Sequence, residues 1–141
     1  MVIVDANVLV YAVNESMPQH SRARGWLEEA LSGHESVGFA WVVLLAFMRI
    51  ATLPALFPQP LGASDALDVV DDWFGARPAV VVQPTVRHAT VLRSLLTEVG
   101  TAGNLVTDAH LAALSLEHGA RVCSFDRDFS RFPGVRVFTP A

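Results

Sequence analysis

Short runs of apolar, mostly β-branched residues alternate along this chain with longer stretches whose apolar residues recur at helical spacing. This alternation predicts strands at 2–4, 36–38, 79–82, 121–125 and 135–138. It predicts helices at 7–13, 18–31, 39–52, 64–74, 86–99 and from 104 or 107 to 118. Strands that alternate with helices indicate an α/β fold, with a mainly parallel, twisted sheet flanked by helices.

Local signals suggest where several of these elements begin and end. Ser64 is a favourable N-cap for the fourth helix, and either Asn104 or Thr107 for the sixth. Gly100 and Gly103 predict a flexible link before that sixth helix. The chain has 141 residues, which fits one domain spanning 1–141.

Composition excludes several classes of protein. The single cysteine, Cys123, rules out an internal disulfide framework and favours a reducing compartment. The apolar fraction of 52% argues against intrinsic disorder. The first residues lack the basic start of a signal peptide, and the longest apolar run, 37–48, is too short to span a bilayer. We therefore expect a soluble, cytoplasmic protein without a membrane segment.

The charge balance constrains how nucleic acid would be bound. Fourteen acids face ten basic residues, all of them arginine, so the formal net charge is −4. An acidic chain lacks the broad positive field that drives nonspecific nucleic-acid binding. An RNA substrate would therefore need a local arginine patch, a bound metal ion or the surface of a partner.

Four aspartates are predicted to meet at one edge of the sheet. Asp5 directly follows the first strand, and Asp126 and Asp128 follow the strand at 121–125. Asp108 lies in the first turn of the helix that precedes this strand. Because ligands bind at the carboxyl ends of parallel strands, the four carboxylates are candidates for a common site.

Carboxylates that converge in this way repel one another and raise one another's pKa, and a divalent cation removes that cost. A set of oxygen ligands, without cysteine or paired histidines, favours Mg²⁺ or Mn²⁺ over Zn²⁺. Such an ion activates water and stabilises in-line attack on phosphorus. Each aspartate alone is more typical of a turn or a helix cap, so only their common placement supports a metal site.

Three acidic segments stand out: Val-Asp-Ala-Asn-Val-Leu-Val-Tyr at 4–11, Thr-Asp-Ala-His-Leu-Ala-Ala-Leu at 107–114 and Ser-Phe-Asp-Arg-Asp-Phe at 124–129. They resemble the acidic motifs of PIN-domain proteins, and more closely those of VapC toxins from bacterial toxin–antitoxin pairs. The ending Phe-Pro-Gly-Val-Arg-Val-Phe strengthens the likeness, which covers nearly the whole chain. Each motif is weak alone, but three in order are specific.

The resemblance implies an Mg²⁺-dependent endoribonuclease that cleaves structured RNA such as tRNA or rRNA. Asp5, Asp108 and Asp126 would be catalytic and hold the metal, with Asp128 as a fourth acid, and Asn7 would orient Asp5 or contact the scissile phosphate. A homodimer and inhibition by a cognate VapB-like antitoxin are also implied. Thr107 and Ser124 are candidates, from their position beside these acids, for placing water or substrate.

One departure from the family pattern leaves other functions open. Many members carry a Glu on the central helix where this chain has Ala46, so Asp128 and water would complete the coordination, or the metal would bind more weakly. The alternatives are a PIN-type binding module without catalysis and an aspartate-based phosphohydrolase. The absence of lysine counts against the second. Helix geometry turns His110 away from Asp108, and the other histidines lack metal-ligand spacing.

Overall fold

A five-stranded, fully parallel sheet forms the centre of the molecule in residues 1–100 and 103–141, the part of the chain that the computed structural model describes. The strands are β1 (Val2–Val4), β2 (Val37–Phe39), β3 (Ala79–Val81), β4 (Arg121–Cys123) and β5 (Val137–Phe138). Their order across the sheet is β3-β2-β1-β4-β5. The predicted α/β class with a parallel sheet is confirmed.

Helices fill the connections between these strands. They are α1 (Ala6–Val13), α2 (His20–Leu31), α3 (Trp41–Ala51), α4 (Ala63–Phe74), α5 (His88–Val99) and α6 (Val106–Glu117), with short 3₁₀ helices at Gly103–Leu105 and Arg127–Arg131. The core joins the central strands to buried faces of α1, α3 and α6. None of the helices within the described ranges is long and apolar enough to cross a membrane.

The register of β1 and β4 places their carboxyl ends, each followed by a polar residue, side by side. Val4 of β1 lies opposite Cys123 of β4, and the backbone N–H of Asp5 donates to the Cys123 carbonyl at 3.0 Å. β1 is fully buried, which suits its β-branched residues in the middle of a parallel sheet. Asp5 and Ser124 therefore leave adjacent strands at the same carboxyl edge.

The predicted helix starts differ from the observed ones by one or two residues, as α3 and α4 illustrate. Phe39, predicted in the helix at 39–52, ends β2, where it pairs in register with Val81. The fourth helix begins at Ala63. Gly62 precedes it with an extended backbone and provides no side-chain cap. Ser64 is therefore inside the helix rather than its N-cap.

The segments near the predicted site also differ in detail. Helix α6 begins behind Leu105, which supplies no side-chain cap, and Thr107 lies exposed inside the first turn. The predicted link includes residues 101 and 102, which lie outside the described residues, as does the side chain of Asn104. Phe125 is not part of β4, because its N–H donates to the side-chain oxygen of Asn7 at 3.0 Å instead of to a neighbouring strand.

Candidate metal centre

Three aspartates from two segments form a tight acidic group beyond the carboxyl ends of β1 and β4. One carboxylate oxygen each from Asp108, Asp126 and Asp128 lies within 4.8 Å of the others. Asp108 comes from the first turn of α6, whereas the other two come from the turn after β4. The structure thus brings together acids that are about twenty residues apart in sequence.

Asp5 stands beside this group and is held by hydrogen bonds on both of its oxygens. Oδ1 accepts from the N–H of Ala6 at 2.8 Å, which caps α1. Oδ2 accepts from the hydroxyl of Ser124 at 2.6 Å and from the amide of Asn7 at 3.2 Å. The carboxylate is therefore fixed before any ligand arrives, and its role as a metal ligand stays a prediction.

Ser124 connects the two ends of the site through a single buried hydroxyl group. The hydroxyl donates to Asp5 and accepts from the amide of Asn7 at 3.2 Å and from the N–H of Asp126 at 2.9 Å. One donor and two acceptor positions use the full hydrogen-bonding capacity of a serine hydroxyl. Because only 1% of Ser124 is exposed, water cannot easily replace these bonds.

Asp126 is positioned by its own turn as well as by Ser124. Its Oδ1 accepts from the N–H of Asp128 at 2.8 Å, which caps the short helix Arg127–Arg131. Asp128 is partly exposed and lies 3.8 Å from the guanidinium of Arg131, a surface contact that contributes little. The sequence thus gives this acid pair a local reason for its conformation, independent of any metal.

The electrostatics of the site favour a bound cation. Burial and the negative charges of the three neighbouring aspartates raise the pKa of Asp108 to about 6. Burial also raises the pKa of Asp5, in spite of its hydrogen bonds from Ser124 and Ala6. Hard oxygen donors with unneutralised charge suit Mg²⁺ or Mn²⁺, so the residues present fit the metal that the sequence predicts.

The acids border a cleft of about 410 Å³ that is lined by Asp5, Asn7, Asp108 and Asp126 on one side. Its other wall is largely apolar and includes Tyr11, Met17, Ile50 and Leu56. The sequence analysis missed this wall. A signal existed for part of it, since Asn7, Tyr11 and Asn14 recur on one face of α1 at helical spacing.

The position of Ala46 allows a test of whether the glutamate that many family members carry there would strengthen metal binding. Ala46 is half-buried on α3, one helical turn before the cleft residue Ile50. We expect Ala46→Glu to tighten Mg²⁺ binding roughly tenfold, because affinity rises with the number of charged ligands. Calorimetry on the wild type, Ala46→Glu and the uncharged control Ala46→Gln measures this, and a gain from Gln equal to that from Glu would show that charge is not the cause.

The comparison with known proteins agrees with this fold. Residues 2–135 match the PIN domain family. Ribonuclease VapC37 of Mycobacterium tuberculosis is 58% identical over 140 residues, which cover 99% of this chain and 97% of that protein. Ribonuclease VapC43 of the same species is 39% identical over 136 residues, covering 96% and 92%. The chain therefore belongs to the PIN-domain family and, within it, to the VapC proteins.

Solved structures with low sequence identity share the fold. VapBC2 from Rickettsia felis, bound to a DNA fragment from its promoter, matches with a TM-score of 0.74 at 16% identity and covers 100% of both chains. VapC20 of M. tuberculosis, described as a toxin that cleaves the sarcin-ricin loop, matches with a TM-score of 0.68 at 19% identity, covering 96% of this chain and 99% of that one. At these identities the likeness establishes the architecture alone.

Proposed function

We propose that this chain is an Mg²⁺-dependent endoribonuclease toxin that cleaves structured RNA, with Mn²⁺ able to substitute for Mg²⁺. The observation that carries the proposal is the group of aspartates at the carboxyl edge of a PIN-domain sheet. The relatives named as ribonucleases support the same reaction.

Each polar residue of the site has a role in this proposal. Asp108, Asp126 and Asp128 hold the ion together with Asp5. When bound, the ion would neutralise the carboxylates, activate water and stabilise negative charge on phosphorus. Asn7 and Ser124 fix the orientation of the Asp5 carboxylate. Thr107, which is exposed and precedes Asp108 in sequence, would position water or the RNA backbone.

The charge of the molecule is compatible with an RNA substrate. Without the four site aspartates, ten acids face ten arginines, so the formal net charge of −4 equals the charge of the site. Metal binding would therefore neutralise much of the charge that opposes an approaching phosphate. Structured RNA such as tRNA or rRNA offers loops in which a single phosphodiester is accessible.

The proposed partners follow from the family and from the exposed surface. We propose a VapB-like antitoxin as the inhibitor, because structures with this fold include VapBC complexes from R. felis and Salmonella typhimurium. We also propose a homodimer in the cytoplasm. Trp41 and Leu45 of α3 are 43% and 59% exposed, and a second subunit would cover this apolar surface.

Mapping of RNA 5′ ends after induction of the toxin tests the proposed reaction. We expect new ends at one or a few sites in tRNA or rRNA, and we expect the Asp5→Asn variant to lose both these ends and the growth inhibition. Asparagine has nearly the same size as aspartate, and circular dichroism checks that the variant is folded. The same cleavage pattern from the folded variant would contradict the assignment.

Two measurements on the purified protein distinguish the proposed function from the two alternative functions. A protein that binds no Mn²⁺ at millimolar concentration would favour a binding module without catalysis. A phosphorylated Asp5, detected by mass spectrometry, would favour an aspartate-based phosphohydrolase.

A further inference from the structure

Three hydrogen-bonded side chains, His88, His110 and Glu117, connect α5 to α6 outside the acidic site. Nδ1 of His88 bonds to Oε2 of Glu117 at 2.5 Å, and Nε2 of His88 bonds to Nδ1 of His110 at 2.9 Å. The two imidazole rings meet edge to face, with centroids 4.7 Å apart. His88 is the first residue of α5, whereas the other two residues belong to α6.

Glu117 anchors the chain as a buried carboxylate. None of its side chain is exposed, and its Oε1 accepts from the N–H and the hydroxyl of Thr85 at 2.9 and 2.6 Å. Burial raises its pKa, but the hydrogen bonds from Thr85 and His88 outweigh that effect, so the pKa of Glu117 is lower than usual. An ionised Glu117 accepts hydrogen bonds only, and Nδ1 of His88 must therefore carry a proton.

The two histidines are matched to each other as donor and acceptor. At the second contact, one of the two nitrogens, Nε2 of His88 or Nδ1 of His110, carries the proton that the other accepts. Both ring nitrogens of His88 are used in this way, so the chain is a hydrogen-bonded strut rather than a metal site. Loss of His88 would leave Glu117 with a buried, less well-paired charge.

This chain of hydrogen bonds contacts α6, the helix that carries Asp108. His110 follows Asp108 by two residues, which places the two side chains on nearly opposite sides of α6. Alanines 109, 112 and 113 make up half of the six buried residues of α6, and alanine fixes the rotation of a helix weakly. On α5 only Leu95 is fully buried. The other buried residues of α6 include Leu111 and Leu114, and the polar chain adds a directional contact between these two helices.

Small rotations of α6 matter at the metal site. A carboxylate about 5–6 Å from a helix axis moves about 2 Å when the helix turns by about 20°. Metal coordination and catalytic geometry tolerate about 0.5 Å or less.

We propose that His88, held by Glu117, is a positioning residue for the metal site: it fixes the rotation of α6 through His110 and so keeps Asp108 within the acidic group. This inference rests on the proposed metal-dependent function. It assigns a role to a partly buried Glu–His–His chain that takes no part in binding the ion.

Mn²⁺ alone is the probe, with its affinity measured from the free-ion signal in electron paramagnetic resonance. We expect His88→Leu to weaken Mn²⁺ binding about tenfold, as the loss of a supporting residue typically does. His88→Gln should restore most of the affinity, because its amide can donate to Glu117 and accept from His110. Val70→Ala, a buried truncation in α4, provides a destabilised control that should leave the affinity unchanged.

The outcomes separate this inference from the proposed function. Unchanged affinity in folded His88→Leu, or equal loss in His88→Leu, His88→Gln and Val70→Ala, would refute the positioning role and leave the metal site intact. A wild-type protein without Mn²⁺ affinity would overturn both. Loss in His88→Leu, with rescue by His88→Gln and none in Val70→Ala, supports the proposal.

Discussion

Asp108→Asn should abolish Mn²⁺ binding at the acidic group and, without metal, make the folded protein more stable. The loss of binding follows from the position of Asp108, one of three carboxylates whose oxygens lie within 4.8 Å of one another. Losing a supporting residue around a metal typically costs 10–100-fold in affinity, so losing a ligand should cost at least about 100-fold. RNA cleavage should fall with it.

The gain in stability follows from the raised pKa of Asp108, which moves from 3.8 to about 6 on folding. The folded state therefore holds this proton more tightly than the unfolded state does. Below about pH 4 both states are protonated and the group costs nothing. Between about pH 4 and 6 the unfolded state releases the proton while the folded state keeps it, so the stability falls across this window and stays lower above it.

Asparagine removes that cost at neutral pH. Because about half of the group faces solvent, the full shift overstates the effect, and we expect a gain of about 1 kcal/mol in the free energy of unfolding at pH 7. At pH 3, below both pKa values, the difference should nearly vanish. Urea unfolding of both proteins in chelator measures it at the two pH values.

Adding Mn²⁺ should reverse the order of stability. The wild type gains about 2.7 kcal/mol when the ion is present at one hundred times its dissociation constant, whereas the variant gains nothing. A variant that is less stable than wild type in chelator at pH 7 would show that Asp108 serves the fold rather than the site.

Local patterns predicted the strands and helices because each is a short-range property of the chain. The run at 2–4 needed only β-branched residues to indicate a buried strand, and the acids after β1 and β4 followed from the parallel order of strands. The family resemblance added the reaction, which spacing alone did not identify. Asp128 was expected as an additional acid and lies in the tight group with Asp108 and Asp126.

Long-range contacts account for what the sequence did not reveal. Phe125 leaves β4 because Asn7, 118 positions earlier, binds its N–H. His88 showed no metal-ligand spacing, and its pairing with Glu117 was not predicted because it depends on how α5 packs on α6. The apolar wall of the cleft combines α1 with residues such as Ile50 and Leu56, whose placement depends on tertiary packing.

Ser124→Ala should weaken Mn²⁺ binding about tenfold and lower the free energy of unfolding by about 1–3 kcal/mol. The hydroxyl gives Asp5 its shortest hydrogen bond, at 2.6 Å, and receives the N–H of Asp126. Alanine removes all three hydrogen bonds of this buried hydroxyl. Asp5 would keep only the amide of Asn7 on Oδ2 and would lose the contact that sets its direction towards the other acids.

Two variants separate this effect from a general loss of stability. Ser124→Thr keeps the hydroxyl and should retain most of the Mn²⁺ affinity. Thr139→Val removes the 2.9 Å hydrogen bond to the carbonyl of Ser124, so it should destabilise the same turn without touching the carboxylates. Calorimetric titration with Mn²⁺ compares these three variants with the wild type. Equal affinity in Ser124→Ala and wild type would mean that Asp5 needs no help from the hydroxyl, whereas equal weakening in Thr139→Val would trace the loss to the turn itself.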